Sequence, residues 1–100
     1  MATMRARTRK PTHPGAILRE DVLPALKMSQ TELAKRLKVS RLTVSELLHE
    51  KRAVTPDMAL RLARLLGTTP ESWLNMQQAL DLWELDQRGD YSGIQKLRAA

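Results

Sequence analysis

One hundred residues set the size of one domain, and the absence of cysteine excludes a disulfide framework and any thiolate metal site. Phe is absent and Tyr occurs once, so the core has to be aliphatic, supplemented by five Met and two Trp. The net charge of +6 is lopsided: residues 1–52 carry 12 Lys/Arg against 5 Asp/Glu, residues 53–100 carry 5 against 6, so the first half suits a phosphate-bearing partner.

Residues 1–11 form a basic N-terminal arm, expected to be flexible. Its first ten residues, M-A-T-M-R-A-R-T-R-K, hold four basic side chains and no periodicity. No apolar stretch follows them, which argues against a secretory signal, and no run approaches membrane-spanning length. A cytoplasmic protein is expected, associated with the nucleoid when bound to DNA. Thr12-His13-Pro14-Gly15 reads as a helix start, and Ile17, Leu18, Val22 and Leu26 continue the helix, with Leu23 beside them. Pro24 lies inside this pattern and is expected to kink or end it.

Ser29 to Leu48 is the most informative stretch. Ser29 and Glu32 form an S-x-x-E capping box, in which the serine takes a free backbone N–H and the glutamate reaches back. Leu33, Ala34 and Leu37 make an apolar stripe at helical spacing, and Ser40 caps a second short helix whose stripe is Val44, Leu47 and Leu48. Ala34 falls where the two helices cross. This is the layout of a DNA-binding helix-turn-helix, whose second helix lies in the major groove. At roughly 100° per residue, the side opposite the stripe carries Leu42, Ser45, Glu46 and His49, flanked by Arg41 and Thr43. Arg forks onto guanine, Ser and Thr bond base or phosphate, and Leu touches a thymine methyl. An ordinary two-helix corner shows the same local pattern. The basic first half of the chain tips the balance toward DNA.

Glu50 to Val54 is a basic connector. Thr55-Pro56-Asp57 starts a fourth helix, with Thr as N-cap and Pro at the first helical position, and Gly67 stops it. Met58, Leu60, Leu62, Ala63, Leu65 and Leu66 make it apolar nearly all round, so it is expected to be the buried centre. Thr69-Pro70-Glu71 repeats the start signal for a fifth helix. Its Trp73, Met76, Leu80 and Trp83 recur at seam spacing and are the expected dimer interface, with Leu74, Leu82 and Leu85 on another side; the competing reading is that both faces belong to the domain's own core. The domain is expected to span residues 12–86. Residues 87–100 form a polar tail with a short helix turn or an edge strand. The expected fold is an all-α five-helix bundle.

Three blocks resemble a known family. They are H-P-G-A-I-L-R-E at residues 13–20, the helix pair, and T-P-D-M-A-L-R-L-A-R-L-L-G-T-T-P-E-S-W-L-N-M-Q-Q-A-L-D-L-W at residues 55–83. The chain resembles the HigA-type antitoxins, or virulence-associated protein I-like regulators, within the phage-repressor-like (XRE) helix-turn-helix group. The resemblance implies a homodimer that binds a palindromic operator, represses its own operon and in many members neutralises a HigB-type messenger-RNA-cleaving toxin. It further implies base reading by Arg41, Leu42, Thr43, Ser45 and Glu46, and backbone contacts by Ser29, Gln30, Ser40, His49, Lys51 and Arg52. Two positions depart from the family pattern. Lys38 stands where the inter-helix turn often has Gly, and H-E-K-R stands where the family commonly reads N-G-K-R.

Two further readings fit the same residues. One is an interaction module whose main task is sequestering a toxin, and the other is a solitary regulator without one. An enzyme is not expected, nor is a cofactor, metal or small-molecule ligand. His13 and His49 lack ligand spacing, there is no Gly-rich phosphate loop, and Ser29, Ser40 and Ser72 all have capping explanations. Asp81, Glu84 and Asp86 read as a solvated helix face.

Overall fold

In a computed structural model, which describes residues 9–98, the chain folds into five helices with no strand among the described residues. The expected basic arm lies, for residues 1–8, outside the described residues. Helix α1 is composite: an α-helical turn Pro14–Ile17, a π-helical turn Leu18–Val22 and a last α-helical turn Leu23–Leu26. The others are α2 (Gln30–Leu37), α3 (Arg41–Leu48), α4 (Pro56–Leu66) and α5 (Pro70–Arg88).

Each helix opens on a side-chain cap. Ser29 Oγ accepts from the Glu32 N–H at 3.1 Å, Ser40 Oγ from Thr43 at 3.0 Å, Thr55 Oγ1 from Met58 at 3.2 Å and Thr69 Oγ1 from Ser72 at 3.2 Å. A hydroxyl placed three residues before a free N–H satisfies one of the orphan donors of the first turn. The box at Ser29 is half-formed, because the Glu32 carboxylate takes the Arg36 Nε at 2.6 Å instead of reaching back. In α1 the cap is His13, whose Nδ1 accepts from the Gly15 N–H at 2.8 Å. Pro24 does not end α1. Proline lacks an N–H and crowds the carbonyl four residues back, and the chain widens by one π-helical turn just before it, with the Leu23 N–H bonding Leu18 O.

Four of the five helices end alike. Lys27, Lys38, Glu50 and Gly67 all have positive φ, between 52° and 72°. Around Lys38, the Val39 N–H bonds Ala34 O and the Lys38 N–H bonds Lys35 O; around Glu50, the Lys51 N–H bonds Glu46 O and the Glu50 N–H bonds Leu47 O. These are Schellman caps, which favour glycine at the left-handed position. Only the α4 end has it. Lys38→Gly is therefore expected to stabilise the fold by about 1 kcal/mol, since it removes the clash of Cβ with the following carbonyl. Urea unfolding of the two proteins reads this as a higher midpoint at unchanged slope.

The core gathers Leu18, Leu33, Leu37, Val44, Leu47, Leu48, Val54, Met58, Leu62 and Trp73, all at most 5% exposed. Ala34 is buried in it, and α2 packs closely on α3. Helix α4 buries Met58, Ala59, Leu62 and Ala63 but turns Leu60 outward at 61% exposure, so it is amphipathic and not buried all round. Helix α5 buries Trp73, Gln77 and Leu80 along the side facing α4. Two of the four residues expected at the dimer face are therefore buried within the chain itself. Trp73 and Leu80 are 3% and 4% exposed, Met76 packs against the core and Trp83 is half-buried. Seam spacing marks a face that needs a partner, and for Trp73 and Met76 the core of the same chain supplies it. The exposed large apolar residues of α5 are Leu82 and Leu85, at 56% and 43% exposure.

The described part of the tail holds no strand and a single isolated turn, in which the Ile94 N–H bonds Tyr91 O at 3.0 Å. Helix α5 runs to Arg88; beyond it residues 92–94 form the turn and bend and the other described residues are irregular, with Asp90 Oδ1 accepting from the Ser92 N–H and hydroxyl. No helix among the described residues is long and apolar enough to cross a membrane.

Candidate nucleic-acid interface

Helix α3 has one dry side and one open side. Val44, Leu47 and Leu48 are at most 1% exposed. On the other side Arg41, Leu42 and His49 are exposed, Leu42 at 65%, while Thr43, Ser45 and Glu46 are half-buried. A leucine held that far into water gains nothing for the fold. The structure thus places Leu42, Ser45 and Glu46 on the side of α3 turned away from the core, with Arg41 and Thr43 on its flanks.

Four groups from elsewhere in the chain fix that helix. Gly15, at the start of α1, lies against its end: a Cβ built on Gly15 would stand 1.8 Å from Leu47 O. The H-P-G motif therefore has a packing explanation. His13 caps, Pro14 presets the first turn, and the absent Cβ lets α1 press on the α3 backbone. Arg19, also from α1, donates from Nη1 to Leu48 O at 2.5 Å and to Glu50 Oε2 at 3.2 Å, and from Nη2 to Glu20 Oε2 at 2.8 Å. The Glu20 bond first, then the Glu50 bond, raise the Arg19 guanidinium above its ordinary pKa, against the pull of desolvation. Arg61 from α4 donates from Nη1 to Leu37 O at 2.7 Å and Lys38 O at 3.3 Å, closing the turn between α2 and α3. Gln77 from α5, 6% exposed, accepts from the Val54 N–H at 2.9 Å and donates to Asp81 Oδ1 at 2.9 Å, pinning the connector after α3. The sequence reading misses Arg19, Arg61 and Gln77, because each acts on backbone more than twenty residues away and leaves no local signal.

The expected backbone contacts divide. Gln30 opens α2 and Lys51 opens the connector, both exposed. Ser29 and Ser40 spend a lone pair on their caps, and Ser40 Oγ also bonds Thr43 Oγ1 at 2.9 Å. The His49 Nδ1 donates to Ser45 O at 2.7 Å, which leaves Nε2 facing solvent. Arg52 lies on Glu46, with Nε and Nη2 donating to its Oε1 at 3.1 and 2.6 Å. Glu50, the unexpected carboxylate of the connector, is partly neutralised by Arg19. Arg41 and Lys51 form no ion pair among the described residues. They are the cations of this face most available to an outside anion.

A helix-turn-helix family model matches residues 18–74. The uncharacterized HTH-type transcriptional regulator YbaQ of Escherichia coli K12 is 47% identical over 83 residues, 83% of this chain and 74% of the relative. Antitoxin HigA-1 of Vibrio cholerae is 39% identical over 85% of this chain and 80% of its own length. Among solved structures, antitoxin GraA in complex with its operator superposes with a TM-score of 0.83 at 45% identity, over 91% of this chain and 95% of that one.

Proposed function

Because the chain belongs to the helix-turn-helix family, in its HigA-type branch, we propose that it is a sequence-specific DNA-binding repressor and the antitoxin of a toxin–antitoxin pair. The observation that carries the DNA reading is the outward face of α3. A solvent-exposed Leu42 sits beside an unpaired Arg41, with Thr43, Ser45 and Glu46 around them, on a helix braced from α1 and joined to a turn braced from α4. A similar chain seen with its operator supports the same reading. It requires no catalysis. The antitoxin part is supported by the likeness to proteins named antitoxins. Its test is co-purification with the product of an adjacent small reading frame.

The operator is a palindrome read by a two-fold dimer. One helix-turn-helix makes few base contacts, and two copies set their recognition helices one DNA turn apart, roughly 34–36 Å. Leu82 and Leu85, on the outward side of α5, are the apolar residues we assign to that dimer contact.

Arg41 is placed to read a guanine, where a guanidinium reaches O6 and N7 together. Arg41→Ala is expected to weaken operator binding by roughly 1–3 kcal/mol and relax preference at one base step per half-site, while Lys51→Ala weakens all sequences alike and flattens the salt slope. Titrations on operator and scrambled duplexes at several salt concentrations separate the two. Equal loss on both duplexes for Arg41→Ala would remove its base-reading role.

A further inference from the structure

Arg52 lies where a phosphate contact is expected, yet its side chain turns back onto α3. Glu50 in the left-handed conformation reverses the chain, and the Lys51 N–H bonds Glu46 O at 2.8 Å. The connector therefore returns beside the last turns of α3. Arg52 Nε and Nη2 then close on the Glu46 carboxylate, and both bonds fall on Oε1. The Glu46 side chain is 35% exposed and that of Arg52 is 44% exposed. Among the described residues nothing donates to the other oxygen, Oε2. One carboxylate oxygen is anchored and one is left for an outside donor, on the face that Leu42 shares four residues earlier.

A lone carboxylate brought up to DNA meets repulsion from the phosphates, and a flexible one loses rotamer entropy on binding. The Arg52 fork offsets both. It neutralises the pair locally and fixes the Glu46 rotamer before DNA arrives. The base-edge donor that suits a carboxylate in the major groove is the cytosine N4 amine. Resting on the DNA reading above, we infer that Arg52 is a positioning residue. It holds Glu46 so that Oε2 accepts from a cytosine N4, which makes the pair a specificity device and not one base contact plus one phosphate contact.

The test uses the full chain and a duplex selected from random DNA by the wild type. Every base pair of the selected half-site is then substituted in turn. Binding is measured by fluorescence anisotropy for wild type, Glu46→Gln, Arg52→Ala and the double variant, across a salt series. Arg52 is exposed and Glu46 half-buried, and circular dichroism verifies that each variant is folded. Glu46→Gln and Arg52→Ala are expected to relax preference at the same C·G step, each by roughly tenfold, with the double variant no worse than either single one and the salt slope of Arg52→Ala unchanged. A uniform loss with a slope reduced by about one on Arg52→Ala makes Arg52 a phosphate contact and overturns the inference. So does a Glu46→Gln variant that keeps full preference. If the wild type itself selects no sequence, the DNA reading fails, a result distinct from either of these.

Discussion

Gly15→Ala is expected to destabilise the fold by about 1–3 kcal/mol, at the upper end of that range or beyond it, and to weaken DNA binding in the protein that remains folded. The added Cβ would stand 1.8 Å from Leu47 O and 2.9 Å from Leu47 C, and both are backbone atoms of a helix that cannot turn aside as a side chain could. Either α1 lifts away from α3 or the end of α3 is displaced. Lifting α1 would loosen the Arg19 bond to Leu48 O as well. Thermal unfolding and operator titration on one sample measure both effects. Wild-type stability with wild-type binding would show that the contact between α1 and α3 does not position the recognition helix.

Leu80→Glu is expected to unfold the chain, whereas Leu82→Glu with Leu85→Glu is expected to leave it folded and to dissociate the two-fold dimer proposed above. Leu80 is 4% exposed, and a carboxylate there has to ionise in apolar surroundings or hold its proton. Buried glutamates raised by 3–5 pKa units correspond to a cost on the order of 4 kcal/mol or more at neutral pH, a large share of the stability of a domain this size. Because the folded-state pKa is the raised one, the cost shrinks as pH falls toward and below the unfolded value and is largest above the raised one. Leu82 and Leu85 already meet water, so charges there cost the monomer little. Circular dichroism and sedimentation velocity on the two variants distinguish the faces. A folded Leu80→Glu protein would return the buried side of α5 to the dimer interface.

That contrast shows where the sequence was readable. Helix starts were legible because each depends on residues three apart: Ser29, Ser40, Thr55 and Thr69 all cap as their spacing predicts. The outward face of α3 was legible because Val44, Leu47 and Leu48 define the inward one. The faces of α5 were not. The helix has apolar residues on more than one side, and periodicity alone cannot say which side finds α4. The fate of Pro24 was also hidden, since a π-helical turn is settled by backbone crowding that no pattern of apolar residues records. Lys38 and Glu50 stood out against the family pattern, and both occupy the left-handed positions that glycine would fill without strain. Arg19, Arg61 and Gln77, which brace the site, act across 23 to 31 residues of sequence and become visible only once the helices are packed.

The central claim is that the outward face of α3 reads DNA sequence in a two-fold assembly. Selection of binding sites by the full chain from a pool of random duplexes tests it most directly. The account predicts enrichment of a palindrome whose half-sites lie about 10–10.5 base pairs apart, or a multiple of that, bound much more tightly than scrambled duplex at physiological salt. A pool that gains no shared sequence, with binding that falls equally on all duplexes as salt rises, would contradict it and leave only electrostatic attachment to the phosphates.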